Sequence, residues 1–324
     1  MSITYKSAGV DIKKADKFVK SIRRLTKGDI GGFSGLLKLN FKKYNNPHLV
    51  ASCDGVGTKL KVAFWLNRHK TVGIDLVAMS VNDVITSGAR PLFFLDYIST
   101  SSLNTKQLYE ILKGVNIACK EANCLLLGGE TAQMPQFYKK DEYDLAGFCV
   151  GIVDRKDIID GSRIKENDVI IGLTSNGLHS NGYSLVRKLF SRDYIKKNQN
   201  LFYKPTRIYV SSILKLNKEV KTKGIAHITG GGFYDNIIRI LPKGISAHID
   251  RNSWPMTRVF RLIQQKGKIS DKDMYHTFNM GIGMVIIIDK KDVEKAQRLL
   301  VADKVKSYII GKCLKSKKSE VAIS

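Results

Sequence analysis

The segment from residue 53 to residue 83 constrains the fold and the chemistry of this chain more than any other. Glycines and polar residues interrupt its apolar stretches at Asp54, Gly55, Gly57, Thr58, Lys59, Asp75, Asn82 and Asp83. Carboxylates are suitable Mg²⁺ ligands, glycines let the backbone approach a phosphate, and a lysine can neutralise phosphate charge. These residue types within about one βα unit indicate a site for a metal-bound nucleotide.

The pattern around this segment places its polar groups at the ends of regular elements. Residues 49–53 read as a strand that leads into the acidic loop, and residues 75–86 have apolar residues at helical spacing. Asp75 and Asn82 lie seven residues apart, which is two helical turns, so they share a face of that helix. We expect Asp54, Asp75 and Asp83 to be Mg²⁺ ligands, the alternative being helix capping and surface solvation.

Lys59 follows Gly55-Val-Gly57-Thr58 in a spacing that differs from a P-loop. It is a candidate for phosphate contact as a point charge, and the alternative is an ordinary surface lysine. Upstream, Gly31 and Gly32 begin a glycine-rich loop that is either a flap whose amides cover phosphates or a plain flexible turn.

Strand and helix patterns alternate to about residue 155, and a second series begins at Val169. The polar stretch between them, from Asp160 to Asp168, is the best candidate for a boundary. A length of 324 residues is enough for two cores. We therefore predict an α/β chain of two domains, residues 1–159 and residues 160–324.

Three further features carry candidate site residues. Glu130 follows a buried strand and is either a metal or substrate contact or a helix N-terminal residue. His179 lies in a loop before a helix that suits an anion, and it is a candidate for proton transfer. His227 precedes a second glycine-rich loop, and we interpret it as a buried residue at a strand end. The polar and glycine residues of the two loops are Ser175, Asn176, Ser180, Asn181, Gly230, Gly231 and Gly232.

Composition bears mainly on partners and compartment. The net charge of +25 raises the possibility of nucleic-acid binding, but the lysines are spread along the chain and no aromatic–basic interleaving occurs. We therefore expect no nucleic-acid partner. The absence of a long apolar window and of a signal-peptide pattern predicts a cytoplasmic chain without a membrane partner. The five cysteines include no CxxC pair, which favours buried free thiols.

Taken together, these strings resemble the phosphoribosylformylglycinamidine cyclo-ligase family, also called the AIR synthase family. The matching stretches run in family order over nearly the whole chain. They begin at residues 5–11, 54–59, 73–79, 81–83, 128–132 and 146–151, and continue at residues 179–187, 205–210, 227–233 and 275–279. Other ATP-using enzymes of the superfamily, such as thiamine-phosphate kinase or selenophosphate synthetase, are the alternative, and the strings of the second half argue against them.

The resemblance implies a two-domain AIR-synthetase-like fold in which the mixed sheets of two N-terminal domains pair to form a homodimer. It implies ATP-dependent ring closure of formylglycinamidine ribonucleotide to aminoimidazole ribonucleotide. In that scheme Asp54, Asp75, Asp83 and Glu130 would position Mg²⁺ and the triphosphate, and Lys59 would neutralise phosphate charge. The loop at Gly31 and Gly32 would cover the nucleotide. His179 and the loops 175–182 and 230–232 would contact the substrate.

Overall fold

The alternation of strand and helix patterns produces two separate sheets, one in each half of the chain. A computed structural model describes residues 7, 9, 11–26 and 34–324. Its strands are β1 Pro47–Gly55, β2 Arg90–Thr100, β3 Leu125–Gln133, β4 Tyr143–Asp154, β5 Val169–Thr174, β6 Gly224–His227, β7 Ile245–Ile249, β8 Ile282–Ile288, β9 Ser307–Lys315 and β10 Val321–Ile323. Gly31 and Gly32 lie outside the described residues.

Helices cover or connect these strands. They are α1 Ile12–Thr26, α2 Lys59–Leu66, α3 Lys70–Thr86, α4 Thr105–Glu121, α5 Tyr183–Leu189, α6 Arg192–Lys197, α7 Gln199–Phe202, α8 Val210–Glu219, α9 Gly232–Ile237, α10 Arg258–Gly267, α11 Asp271–Thr277 and α12 Val293–Ala302. None of the helices in the described part of the chain has the length and apolar character that a membrane crossing requires.

The first sheet has the order β1-β4-β2-β3, with β2 and β3 parallel and the other neighbours antiparallel. Helices α3 and α4 cover its inner face. They cross closely because Gly73 and Gly114 lack side chains: a Cβ at Gly73 would overlap the carbonyl of Ile111, and one at Gly114 would overlap that of Lys70. The mixed sheet predicted for the N-terminal half is confirmed.

The outer face of the first sheet is apolar and exposed. Leu49 is 65% exposed, Leu125 47%, Phe148 45% and Tyr97 38%. The register places Cys53, Phe148 and Leu95 in one row across three neighbouring strands. Cys53 is exposed, whereas the four other cysteines are buried, so the prediction of buried free thiols is wrong for Cys53 alone.

The second sheet has the order β10-β7-β9-β5-β8-β6, with only β10 and β7 parallel. Strand β8, which lies between β5 and the edge strand β6, is buried at every residue, which is why residues 282–288 read as a continuous apolar run. Local apolar patterns predict strands at residues 283–288 and 308–310 and a helix at residues 293–300, and the structure confirms them as β8, β9 and α12. The short strands β7 and β10 have no such pattern and are not predicted.

Candidate functional site

Lys59 and Asp75 form an ion pair that is fully buried between the two halves of the chain. The side chains have 0% exposure, and Lys59 Nζ lies 2.7 Å from Asp75 Oδ2. Nζ also donates to the carbonyl oxygens of His179, at 2.8 Å, and Lys204, at 2.6 Å. Asp75 Oδ1 accepts from the backbone N–H and the hydroxyl of Thr206, at 2.7 and 2.8 Å.

These contacts correct two sequence predictions. An ammonium group has three N–H donors, and three protein oxygens already surround Lys59 Nζ, so none remains for a phosphate oxygen. Both carboxylate oxygens of Asp75 face protein donors, so a metal ion would have to displace them. Burial lowers the pKa of Lys59, and Asp75 partly opposes this shift. The two residues connect the domains.

Asn82 has a similar connecting role on the same face of α3, as its seven-residue spacing from Asp75 predicts. Its Oδ1 accepts from the backbone N–H of Tyr209 at 2.9 Å, and its Nδ2 donates to the carbonyl of Arg207 at 2.8 Å. Asn82 is fully buried. The prediction that Asn82 contacts the nucleotide is therefore corrected, because the oxygen and the nitrogen of its side-chain amide both hydrogen-bond to the backbone of segment 206–209 in the second domain.

Asp83, like Asp54, is a partly exposed member of the acidic segment at this boundary. Its side chain is 43% exposed, and its Oδ1 lies 2.8 Å from Nδ1 of the buried His227. Its Oδ2 accepts from Ser52 Oγ at 3.5 Å. The interpretation of His227 as a buried strand-end residue is confirmed, and the contact with Asp83 adds a role that the sequence did not indicate.

Asp54 lies close enough to Asp83 for their charges to interact. Burial raises the pKa of Asp54, the backbone N–H of Gly55 lowers it, and the negative charge of Asp83 raises it. The loop that follows is open, because Gly57 has a φ of +64° and empty space where a Cβ would lie. Thr58 Oγ1 accepts from Ser184 Oγ at 3.1 Å. Asp54 and Asp83 thus border an open glycine loop.

Glu130 lies away from this pair, on the opposite face of the sheet. The register aligns Asp54 with Gly147, Asp96 and Gly129, one residue on each of the four strands. Three strand spacings separate β1 from β3, about 14 Å. Glu130 follows Gly129 and pairs with the exposed Tyr97, so it points to the outer face. A metal ion cannot contact both Asp54 and Glu130 of one chain.

The predicted set of four carboxylate ligands is therefore corrected. In the part of the chain that the structure describes, no three His, Cys, Asp or Glu residues are grouped to hold a metal ion. Asp54 and Asp83 remain as a pair of carboxylates near each other. Asp96 is a further carboxylate for which the sequence indicates no role. It is buried beside Gly129, and burial raises its pKa to about 7.

His179 has a defined tautomer, because its Nε2 accepts hydrogen bonds from two backbone N–H groups. Asn176 N lies 3.2 Å from Nε2, and Arg207 N lies 3.4 Å from it. The proton of the neutral ring is therefore on Nδ1, which finds no acceptor among the described residues. Burial lowers the pKa of His179 well below its usual value, and the positive charges of neighbouring groups add to this shift.

The loop around His179 is fixed by side chains from distant segments. Asn279 accepts from Ser175 Oγ at 3.0 Å and donates to the carbonyl of Gly177 at 2.8 Å. Asn176 Oδ1 accepts from Arg207 Nε at 3.2 Å, and the hydroxyl of Ser180 is 3.1 Å from that of Thr206. Asn279, Thr206 and Arg207 lie in stretches that match the family, but the sequence alone indicates no role for them.

The second glycine-rich loop lies beside the first. A Cβ at Gly230 would lie 3.6 Å from Asn181 Oδ1. Asn236 Nδ2 donates to the carbonyl oxygens of Gly230, at 3.1 Å, and Gly232, at 2.8 Å, which fixes the loop. Gly231 has a φ of +87° and Gly232 a φ of +58°, a region that favours glycine. The structure thus brings the two predicted substrate loops together.

Comparison with known proteins decides the family. Residues 36–153 match the family described as AIR synthase related protein, N-terminal domain, and residues 165–324 match its C-terminal domain. A phosphoribosylformylglycinamidine cyclo-ligase from Thermodesulfovibrio yellowstonii is 52% identical, with 100% of each chain covered. The chain belongs to the phosphoribosylformylglycinamidine cyclo-ligase family. The family predicted from the sequence strings is confirmed.

Solved structures share the fold of this cyclo-ligase family member at low sequence identity. The hydrogenase maturation protein HypE in complex with ATP superposes with a TM-score of 0.70 at 15% identity, covering 96% of this chain and 91% of that one. Thiamine-monophosphate kinase from Stenotrophomonas maltophilia gives a TM-score of 0.68 at 17% identity, covering 94% and 95%. The predicted two-domain AIR-synthetase-like fold is confirmed.

Proposed function

We propose that this chain is an ATP-dependent phosphoribosylformylglycinamidine cyclo-ligase of purine biosynthesis, acting in the cytoplasm. The observation that carries the proposal is the full-length identity of 52% to a protein with that name. In this reaction ATP phosphorylates the formyl amide oxygen of formylglycinamidine ribonucleotide. The amidine nitrogen then attacks the activated carbon, the C–O bond breaks, and aminoimidazole ribonucleotide, ADP and phosphate are formed.

The requirement for ATP follows from the chemistry of the amide. An amide oxygen is a poor leaving group, and phosphorylation converts it into a phosphate ester whose oxygen leaves with the phosphate. Catalysis of phosphoryl transfer is mainly positioning and charge neutralisation. The structural neighbour HypE was solved with ATP, which supports a nucleotide site in this fold. We assign the ATP phosphates to the open loop from Asp54 to Thr58.

Mg²⁺ fits the pair Asp54 and Asp83. Burial raises the pKa of Asp54 and the charge of Asp83 adds to this shift, so a cation near both carboxylates would relieve their repulsion. Mg²⁺ in nucleotide sites is usually held by one or two carboxylates plus substrate phosphates. When bound, it would neutralise charge that develops on the transferred phosphoryl group. Asp75 is not among its ligands in this proposal, because Asp75 is bound to Lys59 and Thr206.

The substrate is assigned to the two loops 175–182 and 230–232, which lie side by side. His179 supplies a neutral Nδ1–H donor, and we infer that this donor contacts the reacting amide. His179 is not placed as a general base, because Nε2 is occupied by two backbone N–H groups. Its low pKa keeps the ring uncharged near neutral pH.

We also propose that the chain forms a homodimer through the outer face of its first sheet. The exposed apolar residues of that face, Leu49, Tyr97, Leu125 and Phe148, would be covered by the same face of a second copy. Large exposed apolar patches mark interaction sites. Glu130 lies on this face, so pairing would place it beside the partner subunit.

The decisive experiment supplies formylglycinamidine ribonucleotide, ATP and Mg²⁺ to the purified protein. We expect aminoimidazole ribonucleotide, ADP and phosphate to appear in equal amounts, with no product when ATP is omitted. Mass spectrometry of the nucleotide products identifies the closed ring by its loss of one oxygen and two hydrogens. Folded protein that releases ADP without the closed ring, or that leaves both substrates unchanged, contradicts the proposal.

A further inference from the structure

The buried contact between Lys59 and Asp75 calls for an explanation other than stability. Removing two charges from water is costly, and a buried ion pair is often replaceable by apolar residues without loss of stability. Neither group has a polar atom left for a ligand, because Lys59 Nζ faces three protein oxygens and Asp75 binds Lys59 and Thr206. The pair is therefore better explained by what its geometry holds in place.

Both members of the pair hold His179, at two different points. Lys59 Nζ donates directly to the carbonyl oxygen of His179. Asp75 Oδ1 accepts from the backbone N–H and the hydroxyl of Thr206. The next residue, Arg207, uses its backbone N–H to donate to His179 Nε2. One member thus fixes the backbone of His179, and the other fixes a donor to its ring.

His179 needs such support, because its backbone conformation is unfavourable. Its φ is +60°, the left-handed region that residues with a side chain rarely adopt. Residues in such conformations persist only where the surrounding structure determines them. Lys59 contacts the carbonyl of this strained residue, so the ion pair contributes directly to the conformation that aims the imidazole.

We propose that Lys59 and Asp75 are a positioning pair that sets the orientation and the tautomer of His179. The inference rests on the proposed function, in which His179 Nδ1–H contacts the reacting amide. Lys59 and Asp75 come from the first domain and His179 from the second. The pair therefore aligns the donor that faces the substrate with the domain that carries the ATP phosphates.

Removal of the pair has a specific expected effect. Without Lys59 the His179 carbonyl loses its donor, and without Asp75 the peptide of Arg207 is no longer held through Thr206. The Nε2 atom would then keep only the N–H of Asn176 as a backbone donor, and the preference of the ring for one neutral tautomer would weaken. The donor would be misplaced for the reaction, while ATP and substrate would still bind to groups that the change leaves intact.

The test variant is the double substitution Lys59→Met and Asp75→Asn, which removes both charges together and leaves neither one buried alone. The control is Lys61→Met on the same helix, which breaks the partly exposed ion pair between Lys61 and Glu142. A misplaced catalytic group typically costs about 100-fold in rate, so we expect kcat of the double variant to fall by about that factor. The KM values for both substrates should stay within about threefold of wild type, and Lys61→Met should match wild type.

A second measurement reads the tautomer of His179 independently of activity. Ring ¹⁵N spectra of the wild-type protein, assigned by comparison with His179→Gln, should show one neutral form with the proton on Nδ1. The double variant should show averaged ring shifts. A folded double variant with wild-type kcat, or with unchanged His179 shifts, overturns the proposal.

Thr206→Val keeps the test decisive if the double variant does not fold. It removes the hydroxyl that donates a hydrogen bond to Asp75, while it retains the shape of the side chain and the backbone N–H. We expect a fall of about tenfold in kcat together with shifted His179 resonances. A Thr206→Val variant with wild-type kcat and wild-type His179 resonances would overturn the proposal. A wild-type protein that fails to make the ring product contradicts the proposed function, whereas the ring spectra still decide whether the pair sets the tautomer.

Discussion

His227 Nδ1 lies 2.8 Å from Asp83 Oδ1, and this contact joins the second domain to the first. The side-chain amide of Asn82 places its Nδ2 3.5 Å from Nε2 of the same ring. An amide nitrogen donates, so Nε2 is the acceptor and Nδ1 is the ring nitrogen that donates to Asp83. Asp83 therefore accepts a hydrogen bond from His227 at one oxygen, and its partly exposed side chain can still face a cation.

We expect Asp83→Asn to lower the rate of ATP-dependent product formation by about 100-fold, because the charge that would hold Mg²⁺ is removed. The fold should remain, because an asparagine oxygen can still accept from His227. Product formation and thermal unfolding are the measurements, with Asp193→Asn on the exposed surface of α6 as the control. Wild-type turnover in Asp83→Asn would remove this residue from the site.

Gly283 provides a steric test of the position of His179. A Cβ at this residue would overlap the Tyr209 hydroxyl and His179 Cε1, and would lie 3.1 Å from His179 Nδ1. We expect Gly283→Ala to destabilise the protein by about 2 kcal/mol, as overpacking does, and to lower kcat. Gly128→Ala is the matched control, because its nearest contact would be an ordinary 3.6 Å to Leu95. Unfolding in urea and steady-state kinetics of both variants check this; equal stabilities would contradict it.

The sequence predicts the elements of the site well and their long-range contacts poorly. The strand before Asp54, the helix that carries Asp75 and Asn82, and the loop before α5 all follow from local apolar spacing. The burial of Lys59 does not, because its oxygen partner on Lys204 is 145 residues away in the chain. A lysine among 54 basic residues carries no local sign that it is the buried one.

Glu130 illustrates a different limit, because its face depends on sheet register. The pairing of β2 with its two neighbours has two irregularities. These shift which residues of the paired strands face the same side of the sheet, so simple inward–outward alternation along the sequence does not predict the face. Only the register with Tyr97 shows that Glu130 points outward. The strand β7 was missed for a related reason: Ile245–Ile249 is five residues long and includes Ser246 and His248, too short a pattern to distinguish from a loop.

His69 gives a prediction for stability against pH. It is buried, with Tyr143 Oη 2.9 Å from its Nδ1, and burial lowers its pKa from 6.5 to about 4. As pH falls, His69 is therefore protonated in the unfolded chain before it is protonated in the folded protein. The stability that neutral His69 gives the fold is present above pH 6.5 and is lost as pH falls towards 4. Between about pH 7 and pH 5 the free energy of unfolding of the wild type should fall by about 2 kcal/mol more than that of His69→Gln.

Urea unfolding at several pH values measures this difference. The exposed His276, whose side chain is 52% accessible, provides the control, and His276→Gln should follow the wild-type curve. Parallel curves for wild type and His69→Gln would show that His69 is not held neutral by its surroundings.

The outer sheet face gives the last prediction, which concerns assembly. Phe148 lies in the row with Cys53 and Leu95 at the centre of that face, and it is 45% exposed in the single chain. In a dimer formed through this face, Phe148→Glu would bury an unpaired charge, which costs about 3 kcal/mol and weakens association about 100-fold. Sedimentation should show a wild-type dimer and a monomeric Phe148→Glu.

Phe137→Glu is the control for this substitution, because Phe137 is 71% exposed in the connection between β3 and β4 and lies outside the sheet. It should sediment as the wild type does. A monomeric wild type, or a Phe148→Glu variant that remains dimeric, would assign the apolar face to something other than self-association. Because Glu130 lies on the same face, loss of the dimer together with loss of product formation would indicate that the partner subunit completes the site.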